Sequence, residues 1–209
     1  MEPQRTLILA SGSPRRRDLL AGLGFGFAVR PADVEEVWPP DLPPREAARY
    51  LARLKAAACR RWVDERTVVL TADTTVLLDG EVINKPIDGR DAVRMLTRLC
   101  GRTQTVVTGV ALLYAVGGEL REESFDEEAS VTLEAATAEE LEAYVAAWRP
   151  LDKAGAYGIQ DWIGWAKVSR IEGAYGTVMG LPTVEVYRRL RSLGLATTPA
   201  AARGAGGGE

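Results

Sequence analysis

Short apolar runs and helical apolar stripes take turns along this chain. Residues 7–10 (Leu-Ile-Leu-Ala) form a run of the buried-strand kind. A small-residue turn follows, then a helix with Ser13 as N-cap, its hydroxyl placed to accept from first-turn N–H groups, and Pro14 at N1. Leu19, Leu20 and Leu23 make the buried stripe of that helix, and Gly22 or Gly24 ends it. Residues 25–30 read as a second strand, and a Pro-rich loop spans 38–44. A long helix over 45–62 carries the stripe Ala47, Leu51, Leu54, Ala58 and Trp62, with Lys55 at its border.

Residues 68–72 are an apolar strand of the type buried in α/β sheets, ending in Asp73-Thr74-Thr75. Residues 76–78 then run into Asp79-Gly80, a two-residue hairpin signal, and 81–86 return. This register pairs 78 with 81 and 74 with 85, which brings Lys85 beside Thr74 and next to Asp73. Strict alternation puts Asp73 and Lys85 on opposite faces, so a bulge or strand end must intervene if they share a site. Asp88 caps a helix over 90–100 that Gly101 stops. Residues 104–116 and 119–135 read as long strands of a twisted hairpin around Gly117-Gly118, with acid-rich 119–128 as a solvated edge. Thr137 to Glu140 is a capping box opening a helix through 148, closed by Pro150. Pro182 opens a last helix to about 193, and Ala/Gly-rich 196–209 reads as a disordered tail.

Composition then narrows the chemistry. The 209 residues carry a net charge of −3, which argues against a general nucleic-acid binder and makes any basic site local. No apolar run approaches the ~20 residues that span a bilayer, and no signal peptide is visible, so the chain reads as cytoplasmic. Cys59 and Cys100 match no metal or redox spacing, which fits a reduced setting. There is no histidine, which removes Ser-His and Cys-His pairs and His-ligated zinc. Acid–base work falls to Asp, Glu, Lys or Tyr, and any metal would be held by oxygens, favouring magnesium or manganese. Of 26 basic residues only Lys55, Lys85, Lys153 and Lys167 are lysines. A compact ammonium is not interchangeable with a guanidinium close to a phosphate or metal.

Four places carry candidate chemistry. Arg15, Arg16 and Arg17 crowd the positive end of a helix dipole beside a Ser-Gly-Ser turn. Either they are solvated and the serines merely cap, or the group is a phosphate site. Asp73, at the end of an apolar strand, could bind metal, act as a base, or cap a turn. Lys55 either snorkels to water or points into a polar cleft. Small residues interleaved with Lys, Tyr and Gln over 152–160 suit close approach to a ligand or a plain Gly-rich connection. The late glycines match neither a P-loop nor a strand-linked dinucleotide fingerprint.

Read as blocks, Ser11-Gly12-Ser13-Pro14-Arg15-Arg16, the Leu54 to Ala58 lysine helix, Ala72-Asp73-Thr74, Asn84-Lys85-Pro86 and Asp152 to Gln160 resemble, in order, the motifs of the Maf family of nucleotide pyrophosphatases. The block Asp-Lys-Ala-Gly-Ala-Tyr-Gly-Ile-Gln is similar to that of the subfamily acting on dTTP and UTP. The resemblance spans 7 to about 193. Asp161 and Trp162 depart from it, standing where the family often has glycine and leucine, and Gly176 and Thr177 also depart.

The resemblance implies an α/β, Maf-like (inosine-triphosphate-pyrophosphatase-like) fold: one domain over 1–195, with two lobes and a central cleft around a long mixed, twisted sheet. It implies hydrolysis of dTTP and UTP, modified forms included, to the monophosphate and pyrophosphate. Asp73 is then the proton acceptor. Ser11, Ser13, Arg15, Arg16, Lys55 and Lys85 hold phosphates, and Glu36, with Glu35 as fallback, joins Asp73 on a divalent ion. Arg15, Thr74 and Gln160 are the specificity candidates, Gln160 reading the imide edge of the base. A homodimer is the family-level expectation, with no nucleic-acid or membrane partner. A second reading is a nucleotide-binding regulator of cell division with little turnover. A third is a phosphatase releasing orthophosphate.

Overall fold

The computed structural model describes residues 5–198. Its frame is a seven-stranded mixed sheet in the order β2-β1-β3-β5-β6-β7, with β4 also paired to β3. The strands are β1 (Thr6–Leu9), β2 (Phe27–Val29), β3 (Thr67–Leu78), β4 (Glu81–Ile83), β5 (Thr103–Val116), β6 (Glu119–Leu133) and β7 (Val168–Glu172). The helices are α1 (Pro14–Gly22), α2 (Ala47–Ala58), α3 (Gly89–Leu99), α4 (Ala138–Trp148), α5 (Trp162–Lys167), α6 (Tyr175–Met179) and α7 (Thr183–Ser192). β1 runs parallel to both β2 and β3, and every other pairing is antiparallel.

Alternation along β1 and β3 sorts the core. Leu7, Leu9, Leu70 and Ala72 pack with Leu20, Val186 and Leu190 under α1 and α7. Farther along β3, Val76 and Leu78 on the same face join Leu96, Leu141 and Tyr144 from α3 and α4. The opposite face belongs to α2, where Ala52 and Ala56 meet Ala111. Small residues there allow a close approach. A Cβ on Gly109 would stand 2.3 Å from the backbone nitrogen of Arg49. Glycine inside an apolar strand marks such close backbone contacts.

Several expectations shift. The helix over 45–62 is α2 flanked by two 3-10 turns, Pro44–Glu46 and Arg60–Trp62. Its buried side is Ala47, Ala48, Leu51, Ala52, Lys55 and Ala56, so Lys55 lies inside the stripe while Ala58 is exposed. The second strand is shorter than 25–30. The hairpin forms as read, with Leu78 opposite Glu81, but its ladder stops at Val76 and Ile83, so Thr74 and Lys85 do not pair. The acids of β6 lie along a solvated edge, as read, and several are also ion-paired: Glu122, Asp126 and Glu128 meet Arg53, Arg49 and Arg45, and Glu123 meets Arg189. The sequence reading had no counterpart for α5, β7 or α6. Nor is 196–198 free: Thr198 N–H donates to the Gly24 carbonyl at 3.0 Å, and Thr197 bridges Phe25. The rest of the expected tail, 199–209, lies outside the described residues. No helix among the described residues is long and apolar enough to cross a membrane.

Candidate active site

The cleft arises from a gap in the sheet. On one side β3 pairs with β1 only as far as Leu70, and with β4 only from Val76. Across 71–75 no strand among the described residues fills that side. Asp73 therefore sits mid-strand, not at a strand end as its sequence setting suggested, on an edge that is open locally. The cleft beside it measures about 660 Å³. Its lining includes Ser11, Ser13, Arg15, Arg16, Glu36, Lys55, Asp73, Thr74, Lys85 and Gln160, while Arg17 and the fallback Glu35 are not among its lining residues.

Asp73 and Lys55 form the buried centre. Register places Asp73 directly opposite Gly109, and the absent side chain there lets α2 settle on the sheet. Lys55 then projects from the buried side of α2, its Nζ 2.5 Å from Asp73 Oδ1 and 2.8 Å from Glu36 Oε1. Lys85, beyond the end of β4, reaches Glu36 Oε2 at 3.4 Å. The strand end thus settles the facing problem: Lys85 joins Asp73's group through Glu36, not through a ladder contact. Burial pushes the Glu36 carboxyl up, but the hydrogen bond and charge of Lys55, with Lys85 behind them, outweigh this and hold it low. Four charges alternate in sign from Asp73 through Lys55 and Glu36 to Lys85.

The turn after β1 brings a second group. Arg16 donates from Nη1 to Ser11 Oγ at 3.1 Å, from Nη2 to Thr74 Oγ1 at 3.1 Å and from Nε to the Gly180 carbonyl at 2.8 Å. Three of its five N–H donors are engaged by the protein itself. Thr74 also meets Thr108 at 2.9 Å. Ser13 is the N-cap of α1, yet its hydroxyl makes no capping bond, and its backbone N–H donates to Ser11 Oγ instead. That corrects the expected cap and leaves the Ser13 hydroxyl uncommitted to the helix. Arg15 pairs with Asp152 at 3.2 Å.

The loop before α5 closes the other side. Gly155 and Ala156 both take positive φ, 71° and 60°. This tight geometry carries Lys153, Tyr157 and Gln160 to the cleft. Gln160 Oε1 is buried and finds no hydrogen-bond partner among the described residues. The sequence reading gave Lys153 no role. Its side chain is only 13% exposed and lies 2.9 Å from Asp152 and 3.7 Å from Asp161. The scarcity of lysine was the signal that could have marked it. Gly109 was missed as well, and its isolation within a long apolar strand was the clue.

Glu36 and Asp73 are two of the carboxylates that line the cleft, and each has one oxygen on Lys55 and a second, off that lysine, for a divalent ion or its substrate. No group of three or more His, Cys, Asp and Glu side chains that could hold a metal occurs among the described residues. Two carboxylates fit the way magnesium is bound with substrate phosphates and waters, rather than in a full protein cage.

The Maf-like protein family model matches residues 6–193. A dTTP/UTP pyrophosphatase of Phocaeicola vulgatus is 44% identical over 188 residues, covering 90% of this chain and 95% of the relative. One from Porphyromonas gingivalis is 42% identical over 191 residues, covering 90% and 94%. A solved nucleoside-triphosphatase/dITP/XTP pyrophosphatase from Mycobacterium abscessus gives a TM-score of 0.40 at 15% identity, covering 90% of this chain and 97% of that one.

Proposed function

The chain belongs to the Maf-like protein family, and on that footing we propose that it hydrolyses dTTP and UTP to the monophosphate and pyrophosphate. The observation that carries the chemistry is the Asp73–Lys55–Glu36 contact in a cleft that also holds the arginines and serines of the β1–α1 turn. A carboxylate base, cations and a phosphate-binding turn then face one substrate.

Water attacks the α-phosphorus. The bond from that phosphorus to the bridging oxygen breaks, and pyrophosphate leaves with the electron pair. Asp73 accepts the proton from the water. Lys55 holds Asp73 Oδ1, so Oδ2 is the oxygen that takes it. Ser11, Ser13 and Arg15 orient phosphates with α1 N–H groups, and Lys55 and Lys85 offset the charge that builds on them. Glu36 and Asp73 would hold a magnesium or manganese ion, which when bound neutralises phosphate charge. Thr74 and Gln160 face the nucleoside and set base preference, Gln160 by its amide.

Catalysis by a positioned base contributes about 10²–10⁴-fold. Asp73→Asn should lower turnover by about that factor, and the protein should still fold, with a lower melt, because Lys55 keeps Glu36 as a partner. The test incubates wild type and variant with dTTP, UTP, CTP, dGTP and ATP, and scores pyrophosphate and orthophosphate separately. Pyrophosphate from dTTP and UTP is the expected product. Orthophosphate alone, or full turnover by Asp73→Asn, would overturn the assignment.

A further inference from the structure

One cation of the cleft stands outside this chemistry. Lys153 is nearly enclosed, and its Nζ lies between two carboxylates of different character. Asp161 is buried, and Tyr144 donates its hydroxyl proton to Asp161 Oδ2 at 3.0 Å. Gly158 packs so tightly on Asp161 that a Cβ there would lie 2.6 Å from Oδ2. This carboxylate is fixed, and it anchors Lys153 from the protein side. Asp152 is the opposite case. Its side chain is 59% exposed, yet one oxygen is 2.9 Å from Lys153 and the other 3.2 Å from Arg15 Nη1.

Two cations from separate elements, both lining the cleft, thus converge on a single solvent-facing carboxylate. Arg15 comes from the first turn of α1 and Lys153 from the loop before α5. Burial pushes the Asp152 carboxyl up, but the hydrogen bond and charge of Lys153, ahead of those of Arg15, outweigh it and keep the group ionised. An anionic oxygen pair held this way has the chemistry of a phosphoryl group. Asp152 is the exposed member of both pairs, so a multiply charged ligand can reach the two cations from solvent and displace it.

We propose that Arg15 and Lys153 form a subsite for phosphoryl oxygens, which the carboxylate of Asp152 fills until the phosphate chain of a nucleotide, or the pyrophosphate product, takes its place. Asp161 is the positioning residue that keeps Lys153 aimed into the cleft when Asp152 is displaced. The proposal rests on the nucleotide reading above, and adds to it a self-occupied subsite with Asp152 as internal competitor.

The sign of one substitution separates this from a structural salt bridge. If Asp152 only braces the loop, Asp152→Asn loosens the site and weakens binding. If it competes with ligand, the same change strengthens binding. Pyrophosphate and UMP are titrated separately into wild type, Asp152→Asn and Lys153→Met by calorimetry at fixed ionic strength. Removing the competitor is expected to tighten one of the two ligands about two- to five-fold. Removing the lysine is expected to weaken that same ligand by about ten-fold. Which of the two responds tells which part of the nucleotide the subsite holds. Equal or weaker binding of both ligands to Asp152→Asn overturns the proposal, as does unchanged binding to Lys153→Met. Should Lys153→Met melt early because Asp161 loses its cation, the exposed Asp152 variant decides the matter alone. These titrations need no turnover. A failed hydrolysis assay counts against the function, and unmoved affinities count against the subsite.

Discussion

Gln160 carries an amide oxygen that is buried with no hydrogen-bond partner among the described residues. Leaving such a group unpaired costs about 1–3 kcal/mol, so its place in a ligand cleft calls for a partner from the ligand. The imide N–H of uracil or thymine is a donor of that kind, and cytosine has none at that ring position. Gln160→Ala should therefore cut the preference for UTP over CTP by about ten-fold or more. Because the oxygen contributes no internal bond, the variant should melt no lower than wild type. A preference that stays at its wild-type value would remove Gln160 from base reading. Glu36 shows the other way a residue becomes fit for its task. It sits in a loop before α2, and two lysines from separate elements make it part of a charge network.

At the scale of elements, the contact that matters is α2 on β5. Asp73 and Lys55 meet because Gly109, opposite Asp73, lets the backbone of α2 come close. A methyl group at 109 would stand 2.3 Å from the Arg49 nitrogen and 2.4 Å from the Ala48 carbonyl carbon, and a helix backbone cannot yield as a flexible side chain can. Overpacking of this sort costs about 1–3 kcal/mol or more. Gly109→Ala should lower the melting temperature by roughly 2–4 °C per kcal/mol, and should cost turnover beyond what the loss of folded protein explains. A stable, fully active Gly109→Ala protein would show that the approach of α2 is not what sets Lys55. Most elements were legible from pattern, because caps and turns announce themselves: Asp88 accepts from Asp91 N–H, and the Thr137–Glu140 box forms in full. The ends of pairing were not legible. Where β1 stops and β4 begins along β3 depends on which strands lie side by side, and local alternation carries no record of that. The short elements α5, β7 and α6 escaped for a related reason: five or six residues hold too little periodicity to stand out. The candidate site residues stood out as motif blocks, whereas their contacts, above all Lys55 with Asp73, needed the fold.

Across the whole molecule, Arg16 joins parts that are distant in sequence. Its guanidinium binds the β1–α1 turn at Ser11, mid-β3 at Thr74 and the α6–α7 turn at Gly180. The sequence reading assigned it to phosphate, and the geometry gives it a second task, to fix the relation of three segments around one cleft. Burial lowers its pKa from the usual arginine value, with Asp73 opposing that shift, so the charge is retained at a cost that only good hydrogen bonding offsets. Lysine would keep the charge and lose the planar fork. If the fork is a tie, Arg16→Lys should cost about 2–3 kcal/mol of stability with no ligand present. It should also disturb base preference, since Thr74 loses a donor. If Arg16 acts only on phosphate, the ligand-free melt stays put and KM alone rises. Thermal melts without nucleotide, set beside KM and kcat for UTP and CTP, separate the two. The tie predicts a lower melt and an altered UTP-to-CTP ratio together, because one guanidinium holds both the frame and Thr74, the residue proposed to set base preference.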